Sequence, residues 1–199
     1  MKTPFRHQVT ELDCTPTSII NALSYLFERK EIPPAVIQRI YLYCLDCISP
    51  GNEHGYGTSY ESAKLIAHWL SEFSSNQYKQ FHIDAQYLEQ DQAHLGPRNK
   101  LTKCLNQGGV AVIGITLGND AHDILALEIK DNWLYAFDPY HRTKQANKTG
   151  NYEYLLPQSG QSPNLRIHID WLNTQSNKKN FRLGSKNERF YILLNRIQS

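Results

Sequence analysis

The stretch "GGVAVIGITLGNDAHDILALEIKDNWLYAFDP", residues 108–139, decides the fold class of this chain. It contains three short apolar runs separated by Gly, Asn and Asp residues, at 108–117, 122–129 and 133–138. Apolar runs of this length, bounded by turn residues, are typical of buried strands. We therefore expect three consecutive antiparallel strands here. Two further strands are predicted within "LRIHIDWL" and "RFYILLNRI" nearer the C-terminus.

The sequence before this stretch has helical periodicity. Thr15 is a candidate N-cap with Pro16 as the first helical residue, and apolar residues then recur at helical spacing to about Arg29. Three further helices are predicted at 34–48, from 58 or 59 through 73, and at about 99–106. Helices followed by antiparallel strands form the α+β pattern. We expect one α+β domain over residues 1–199, with a helical half (about 1–107) packed on an antiparallel sheet half (about 108–199).

Composition narrows the classes of partner. The chain carries 21 basic and 19 acidic residues, a net charge of +2 that predicts no nucleic-acid binding. No apolar stretch is long enough to span a membrane, and the first residues do not resemble a secretory signal. The expected location is the cytoplasm, with export by a dedicated secretion system as an alternative. The basic segment 177–196 is interpreted as a solvated edge, or alternatively as an anion-binding patch.

Four cysteines, Cys14, Cys44, Cys47 and Cys104, are too few for a disulfide scaffold in 199 residues. Cys44 and Cys47 have the spacing of a redox or zinc half-site, but their surroundings favour two core thiols on a helix. The histidines are scattered, so neither a metal site nor a cofactor is expected.

Cys14 is different because it lies directly before a predicted helix, where the free N–H groups and the helix dipole stabilise a thiolate. The alternative is a small buried residue. A cysteine nucleophile also needs a base and an oxyanion donor. His122, which opens an apolar strand, is the candidate base, and Asp138 is the carboxylate that would accept its Nδ1–H. Gln8 is the candidate side-chain donor to the oxyanion, and Asp13 is a candidate for shaping the turn.

Strand geometry makes the pairing of His122 with Asp138 testable. With a three-residue loop, Asp138 lies opposite Ile124 and diagonal to His122, about 7–8 Å away between Cα atoms. A two-residue loop instead places Asp138 on the opposite face from His122. The pairing therefore predicts an odd-length loop or a β-bulge. Asp120 and Asp123 are closer in sequence but are expected in the turn or on the other face.

In the order Gln8, Asp13-Cys14, His122 and Asp138-Pro139, the chain resembles the papain-like cysteine peptidases. It is most similar to the bacteriocin-processing (double-glycine leader) peptidase domains of bacterial exporters and their stand-alone relatives. The resemblance implies a papain-like fold in which Gln8 completes the oxyanion hole, Cys14 attacks, His122 is the base and Asp138 orients it. The family's usual Asp-Cys-Gly is replaced here by Asp13-Cys14-Thr15-Pro16.

Three functions follow from these residues. The first is a cysteine peptidase or closely related amide hydrolase acting on a peptide or protein. The second uses the same triad on another amide, as a glutamine deamidase, a transglutaminase-like transferase or another amidase of an effector or toxin. The third is a catalytically inactive peptide-binding module. The oligomeric state is left open.

Overall fold

The computed structural model of the chain describes residues 2–48, 55–76, 78, 80–118, 120–142, 150–156, 160–175 and 180–197. The helices are α1 (Cys14–Leu26), α2 (Pro34–Tyr43), α3 (Tyr60–Asn76), α4 (Lys100–Asn106) and α5 (Ile169–Leu172). The strands are β1 (Cys47–Ile48), β2 (Gly55–Gly57), β3 (Ile83–Glu89), β4 (Val110–Leu117), β5 (Asp120–Lys130), β6 (Trp133–Phe137), β7 (Tyr152–Tyr154), β8 (Leu165–His168) and β9 (Phe190–Arg196).

Within the described residues, seven strands form one sheet in the order β3-β9-β4-β5-β6-β8-β7, with every neighbouring pair antiparallel. A separate pair, β1 and β2, lies outside it. The α+β class is therefore confirmed. The same residues contain no helix with both the length and the apolar composition that crossing a membrane requires.

Apolar side chains cover both faces of the sheet. Helices α1, α2 and α3 pack with Val112, Leu125 and Ile192 on one face. Helix α4 packs with Ile113 and Ile124 on the other. A strand that is buried on both faces has a nearly continuous apolar sequence, and β4 has this pattern.

Strand β3 lies inside the predicted helical half and was not predicted. It pairs with β9 at one edge of the sheet, from Ile83 opposite Arg196 to Glu89 opposite Phe190. Its buried positions alternate only loosely, and it contains Ala, Asp, Gln and Glu, which have weak strand preference. The strand is therefore stabilised by its long-range pairing with β9 and not by a strong local strand preference.

Helix α1 begins one residue earlier than its predicted N-cap. Asp13 is the N-cap and Cys14 the first helical residue, so Thr15 and Pro16 lie inside the first turn. The Thr17 N–H donates to the Asp13 carbonyl at 3.1 Å and closes that turn. Pro16 is tolerated because the first N–H groups of a helix have no intrahelical acceptor.

The second helix was predicted too long. α2 ends at Tyr43, Cys44 is its C-cap, and Cys47 lies in β1. Asp46 explains the break, because its carboxylate accepts the Ser59 N–H at 2.9 Å and the Ser59 hydroxyl at 2.6 Å. Cys44 is buried, as expected of a core thiol, whereas the side chain of Cys47 lies outside the description, as do residues 49–54 of the following loop.

The basic C-terminal segment is not a solvated edge throughout. Arg182 and Arg189 are buried, at 0% and 5% exposed. Arg189 donates to the Gly184 carbonyl at 3.0–3.1 Å. Lys186 and Arg196 each pair with a carboxylate, at 2.9 Å and 2.8 Å. Arg182 and Arg189 therefore belong to the protein interior, whereas Lys186 and Arg196 are surface cations with a carboxylate partner. Lys178 and Lys179 lie outside the described residues.

Candidate active site

The Cys14 thiol is partly exposed at the N-terminus of α1 and lines a cleft of about 430 Å³. The first intrahelical bond is made by Thr17, and Pro16 has no N–H. The N–H groups of Cys14 and Thr15 therefore remain at the helix end. Such groups, together with the helix dipole, stabilise negative charge on a nearby sulfur or oxygen atom.

The turn before the thiol is built around Asp13. Its buried carboxylate accepts the backbone N–H groups of Val9 at 3.1 Å and Thr10 at 2.7 Å, and the Thr10 hydroxyl at 2.7 Å. Burial alone would raise the pKa of Asp13, but these hydrogen bonds outweigh it and the pKa is lowered. Asp13 is therefore an ionised anchor that fixes the path of the chain into Cys14.

The imidazole of His122 lies between the thiol and a carboxylate. Its Nε2 is 2.6 Å from Asp138 Oδ1. The imidazole and the Cys14 thiol line the same cleft, and Cys14 is close enough to raise the pKa of His122. The Nε2–H donates to the carboxylate, which leaves Nδ1 as the ring nitrogen that can exchange a proton with the thiol. The sequence correctly pairs His122 with Asp138 but assigns the wrong nitrogen to the bond.

His122 is only 6% exposed. Burial lowers its pKa, but the hydrogen bond to Asp138, the interaction with Cys14 and the negative charge of the Asp138 carboxylate raise the pKa well above its ordinary value. The site thus favours the protonated form of the imidazole.

Asp138 is completely buried, and four donors surround its carboxylate. Oδ1 accepts from His122 and from the Tyr140 N–H at 2.9 Å, and Oδ2 accepts from the Tyr154 hydroxyl at 2.7 Å and Arg142 Nε at 3.2 Å. Burial would raise the pKa of Asp138, but the bonds from His122 and Tyr154 and the charge of Arg142 keep it low. The carboxylate is therefore ionised and held rigidly.

The backbone of Asp138 is fixed as well. The Asn164 side chain accepts its N–H at 2.7 Å and donates to its carbonyl at 2.9 Å. Asn164, Tyr154 and Arg142 were all missed from the sequence. They come from later segments and carry no local signal that connects them to Asp138.

A β-bulge brings His122 and Asp138 to one face. The hairpin between β5 and β6 turns on Asp131 and Asn132, both with left-handed φ (51° and 64°), as expected of a two-residue type I′ turn. The pairing then slips by one residue between Ala126 and Glu128. The prediction of an odd loop or a bulge is confirmed as a bulge.

Beyond the bulge, the pairing of β5 with β6 places the side chains of His122 and Asp138 on the same face of the sheet. Leu125 lies opposite Phe137, so the next residue, Asp138, continues opposite Ile124 and diagonal to His122. Without the slip, the two-residue turn alone would direct the imidazole and the carboxylate to opposite faces of the sheet.

Gln8 lies near Asp138, but the Nε2 of its side-chain amide already donates to a backbone carbonyl. The Gln8 backbone N–H donates to the Pro139 carbonyl at 2.8 Å, which places the residue beside the end of β6. Its Nε2 donates to the Thr10 carbonyl at 2.7 Å, and its buried Oε1 has no hydrogen-bond partner among the described residues. The structure therefore unites Cys14, His122 and Asp138, while the role of Gln8 as an oxyanion donor stays a prediction.

Asp123, which the sequence predicts to lie on the opposite face from His122, lines the same cleft as Cys14. It does not orient the imidazole. Its Oδ2 accepts the Thr15 hydroxyl, and its carbonyl accepts the Ser18 hydroxyl at 3.2 Å, so it joins β5 to α1. Burial raises the pKa of Asp123 to about 6. An acid within an apolar strand, adjacent to the candidate base, was the signal that could have identified it.

The described residues contain no group of three or more His, Cys, Asp or Glu side chains placed to hold a metal ion. The chain matches no known family model, and no curated protein matches it significantly.

Proposed function

We propose that the chain is a cysteine peptidase or a closely related amide hydrolase with a papain-like fold. Cys14 is its nucleophile, His122 its acid and base, and Asp138 the residue that orients the imidazole. The observation that carries this proposal is the imidazole of His122, which shares a cleft with the Cys14 thiol and has its Nε2 2.6 Å from the fully buried carboxylate of Asp138.

The mechanism follows from the positions of the protons. His122 Nδ1 takes the thiol proton, and the Cys14 thiolate attacks the substrate carbonyl to form a tetrahedral oxyanion. The Cys14 N–H at the helix end donates to that oxyanion, with the Gln8 amide as a second donor once it leaves Thr10. The imidazolium then protonates the leaving amine. Water, deprotonated by the same imidazole, hydrolyses the thioester and releases the acid product.

Asp138 acts through the ring. By accepting Nε2–H it holds the tautomer in which Nδ1 faces the thiol, and it stabilises the imidazolium that forms. The order of these residues along the chain is also that of the bacteriocin-processing peptidases the sequence resembles. We infer a peptide or protein substrate, because a cleft of about 430 Å³ leads to the thiol from the protein surface.

The first experiment is alkylation of the native protein by iodoacetamide at about pH 6, mapped by mass spectrometry, where an ordinary thiol is almost fully protonated. We expect rapid labelling of Cys14 that is lost in His122→Ala. His94→Ala is the matched control, because His94 is an exposed histidine outside the cleft. Labelling of Cys14 that is slow, and equal in the His122→Ala variant, would contradict the proposal and favour an inactive binding module.

Peptide mixtures incubated with the wild-type protein or with Cys14→Ala then separate the reactions. A hydrolase of backbone amides yields Cys14-dependent cuts. Deamidation of glutamine, or transfer of its acyl group to an amine, leaves the backbone intact and changes only the side-chain mass.

A further inference from the structure

The cleft around Cys14 is lined by carboxylates. Four acidic side chains face it: Glu11, Asp120, Asp123 and Glu188. Among the described residues that line the cleft, there is no lysine or arginine, and none of the four carboxylates forms an ion pair with one elsewhere in the described chain. Protonated His122 is the one positive group among these lining residues, so negative charge predominates in the cleft, and low-dielectric walls strengthen such a field.

Asp123 is the deepest of these acids. It is only 6% exposed, and its Oδ2 is occupied by the Thr15 hydroxyl. No described residue donates a hydrogen bond to its Oδ1, and this oxygen is not one of the buried polar atoms without a partner, so it is open to the cleft. Asp123 also lies opposite Gly114 in the sheet, where a side-chain carbon would stand 3.4 Å from Oδ1. The absence of that carbon leaves Oδ1 room on the cleft side.

Because no described protein group donates to the cleft-facing oxygen, a donor that enters the cleft can bond to it directly. The bond from Thr15 satisfies half of the group, and an amide or hydroxyl in place of Asp123 could accept the same hydrogen. What distinguishes an aspartate here is its negative charge. A cation entering the cleft would compensate that charge, since a buried ion is stable mainly when paired.

We propose that the cleft selects substrates with a positively charged group, a Lys or Arg side chain or a free amine, next to the carbonyl that Cys14 attacks. Asp123 is the specificity-determining residue that recognises this group, and Glu188 and Asp120 attract it at the rim. The inference rests on the proposed function, because it names the substrate class of the same site.

The test uses two thiol reagents of opposite charge, so that no substrate has to be known. The probes are 2-(trimethylammonium)ethyl methanethiosulfonate and 2-sulfonatoethyl methanethiosulfonate. In both reactions the thiolate displaces methanesulfinate and forms a mixed disulfide. The rate at Cys14 is measured by mass spectrometry at about pH 7.5, where a carboxyl with a pKa of about 6 is ionised. Each rate is divided by that of the same reagent with 2-mercaptoethanol.

We expect a normalised cation-to-anion ratio of about 10 or more in the wild-type protein, decreasing as salt screens the charges. Asp123→Asn and Glu188→Gln should each reduce the ratio several-fold. Asp131→Asn is the matched control, because Asp131 is exposed in the turn at the other end of β5, with a left-handed φ that asparagine adopts readily. This variant should keep the wild-type ratio.

The charge selection would be overturned if Cys14 reacts rapidly but the normalised cation-to-anion ratio is the same in the wild type, Asp123→Asn and Glu188→Gln. That result would leave the proposed function standing. Slow reaction with both reagents, unchanged by His122→Ala, would overturn the proposed function and this inference with it. If Asp123→Asn does not fold, the same ratio is measured in the double variant Asp120→Asn, Glu188→Gln, which removes two negative charges at the rim of the cleft.

Discussion

Replacing Tyr154 by phenylalanine removes one donor from the buried carboxylate of the site and leaves the ring in place. The Tyr154 hydroxyl donates to Asp138 Oδ2 at 2.7 Å, and Asp138 is fully buried, so no water replaces the lost donor easily. A hydrogen bond to a charged group contributes about 1.5–3 kcal/mol to stability. Because Arg142 still donates to the same oxygen at 3.2 Å, we expect a loss near the lower end, about 1.5–2 kcal/mol at pH 7.

The pH dependence of this loss identifies its cause. The pKa of Asp138 is lowered in the folded protein, chiefly because bonds from His122 and Tyr154 outweigh burial. Its contribution to stability is therefore complete above the ordinary carboxyl pKa of 3.8 and is lost as the pH falls through the lower folded-state value. The difference between Tyr154→Phe and the wild type should be largest near neutral pH and shrink below about pH 4.

Urea unfolding followed by tryptophan fluorescence, at about pH 7, 5 and 3, measures this difference. Tyr140→Phe is the control, since the Tyr140 hydroxyl donates to an exposed glutamate at 3.2 Å and its loss should cost less than about 0.5 kcal/mol. A Tyr154→Phe loss no larger than that of the control, or one that is the same at pH 7 and pH 3, would refute the reasoning. Alkylation of Cys14 should persist in Tyr154→Phe because the bond between His122 and Asp138 is kept.

Three further predictions concern the surroundings of the site. Gly114→Ala places a carbon 2.8 Å from the Phe190 ring, so we expect a loss of about 1–3 kcal/mol in urea unfolding and slower alkylation of Cys14 through a narrowed cleft. Cys44 and Cys104, whose pKa values burial raises to about 12 and 11, should resist iodoacetamide at pH 8 in the native protein and react only after unfolding, as peptide mapping will show. Asn164→Ala leaves both backbone groups of Asp138 without their partners and should cost about 2–4 kcal/mol, measured by thermal or urea unfolding, with reduced labelling of Cys14.

The sequence predicted those parts of the fold that local patterns control. The apolar run of β4 and the helical period after Cys14 are each visible within one short segment of sequence, because most residues of these two elements are buried. Strand β3 has no such signal, because its pairing with β9 depends on residues about a hundred positions away. The end of α2 was also missed, since the Asp46 carboxylate that stabilises the break takes its donors from Ser59.

The same distinction applies to the site. His122 and Asp138 could be paired in advance because they lie on neighbouring strands, where register and side-chain parity restrict which residues can meet. The donors to the Asp138 carboxylate could not be predicted from the sequence, because Tyr154 comes from a separate hairpin and Arg142 from the loop after β6. The ring nitrogen that faces the carboxylate depends on the rotamer of His122, which sequence spacing does not determine.

The bulge between Ala126 and Glu128 connects the fold to the chemistry. A regular hairpin with the Asp131-Asn132 turn would be easier to form, since an unbroken ladder satisfies more backbone groups. It would also direct His122 and Asp138 to opposite faces, where no side-chain movement brings them together. The chain instead tolerates one irregular position in a strand whose centre is buried and which is otherwise regularly paired. β-bulges commonly re-aim side chains beside active sites. The slip in β5 does this here, because it supplies the parity that a contact between the imidazole and the carboxylate requires.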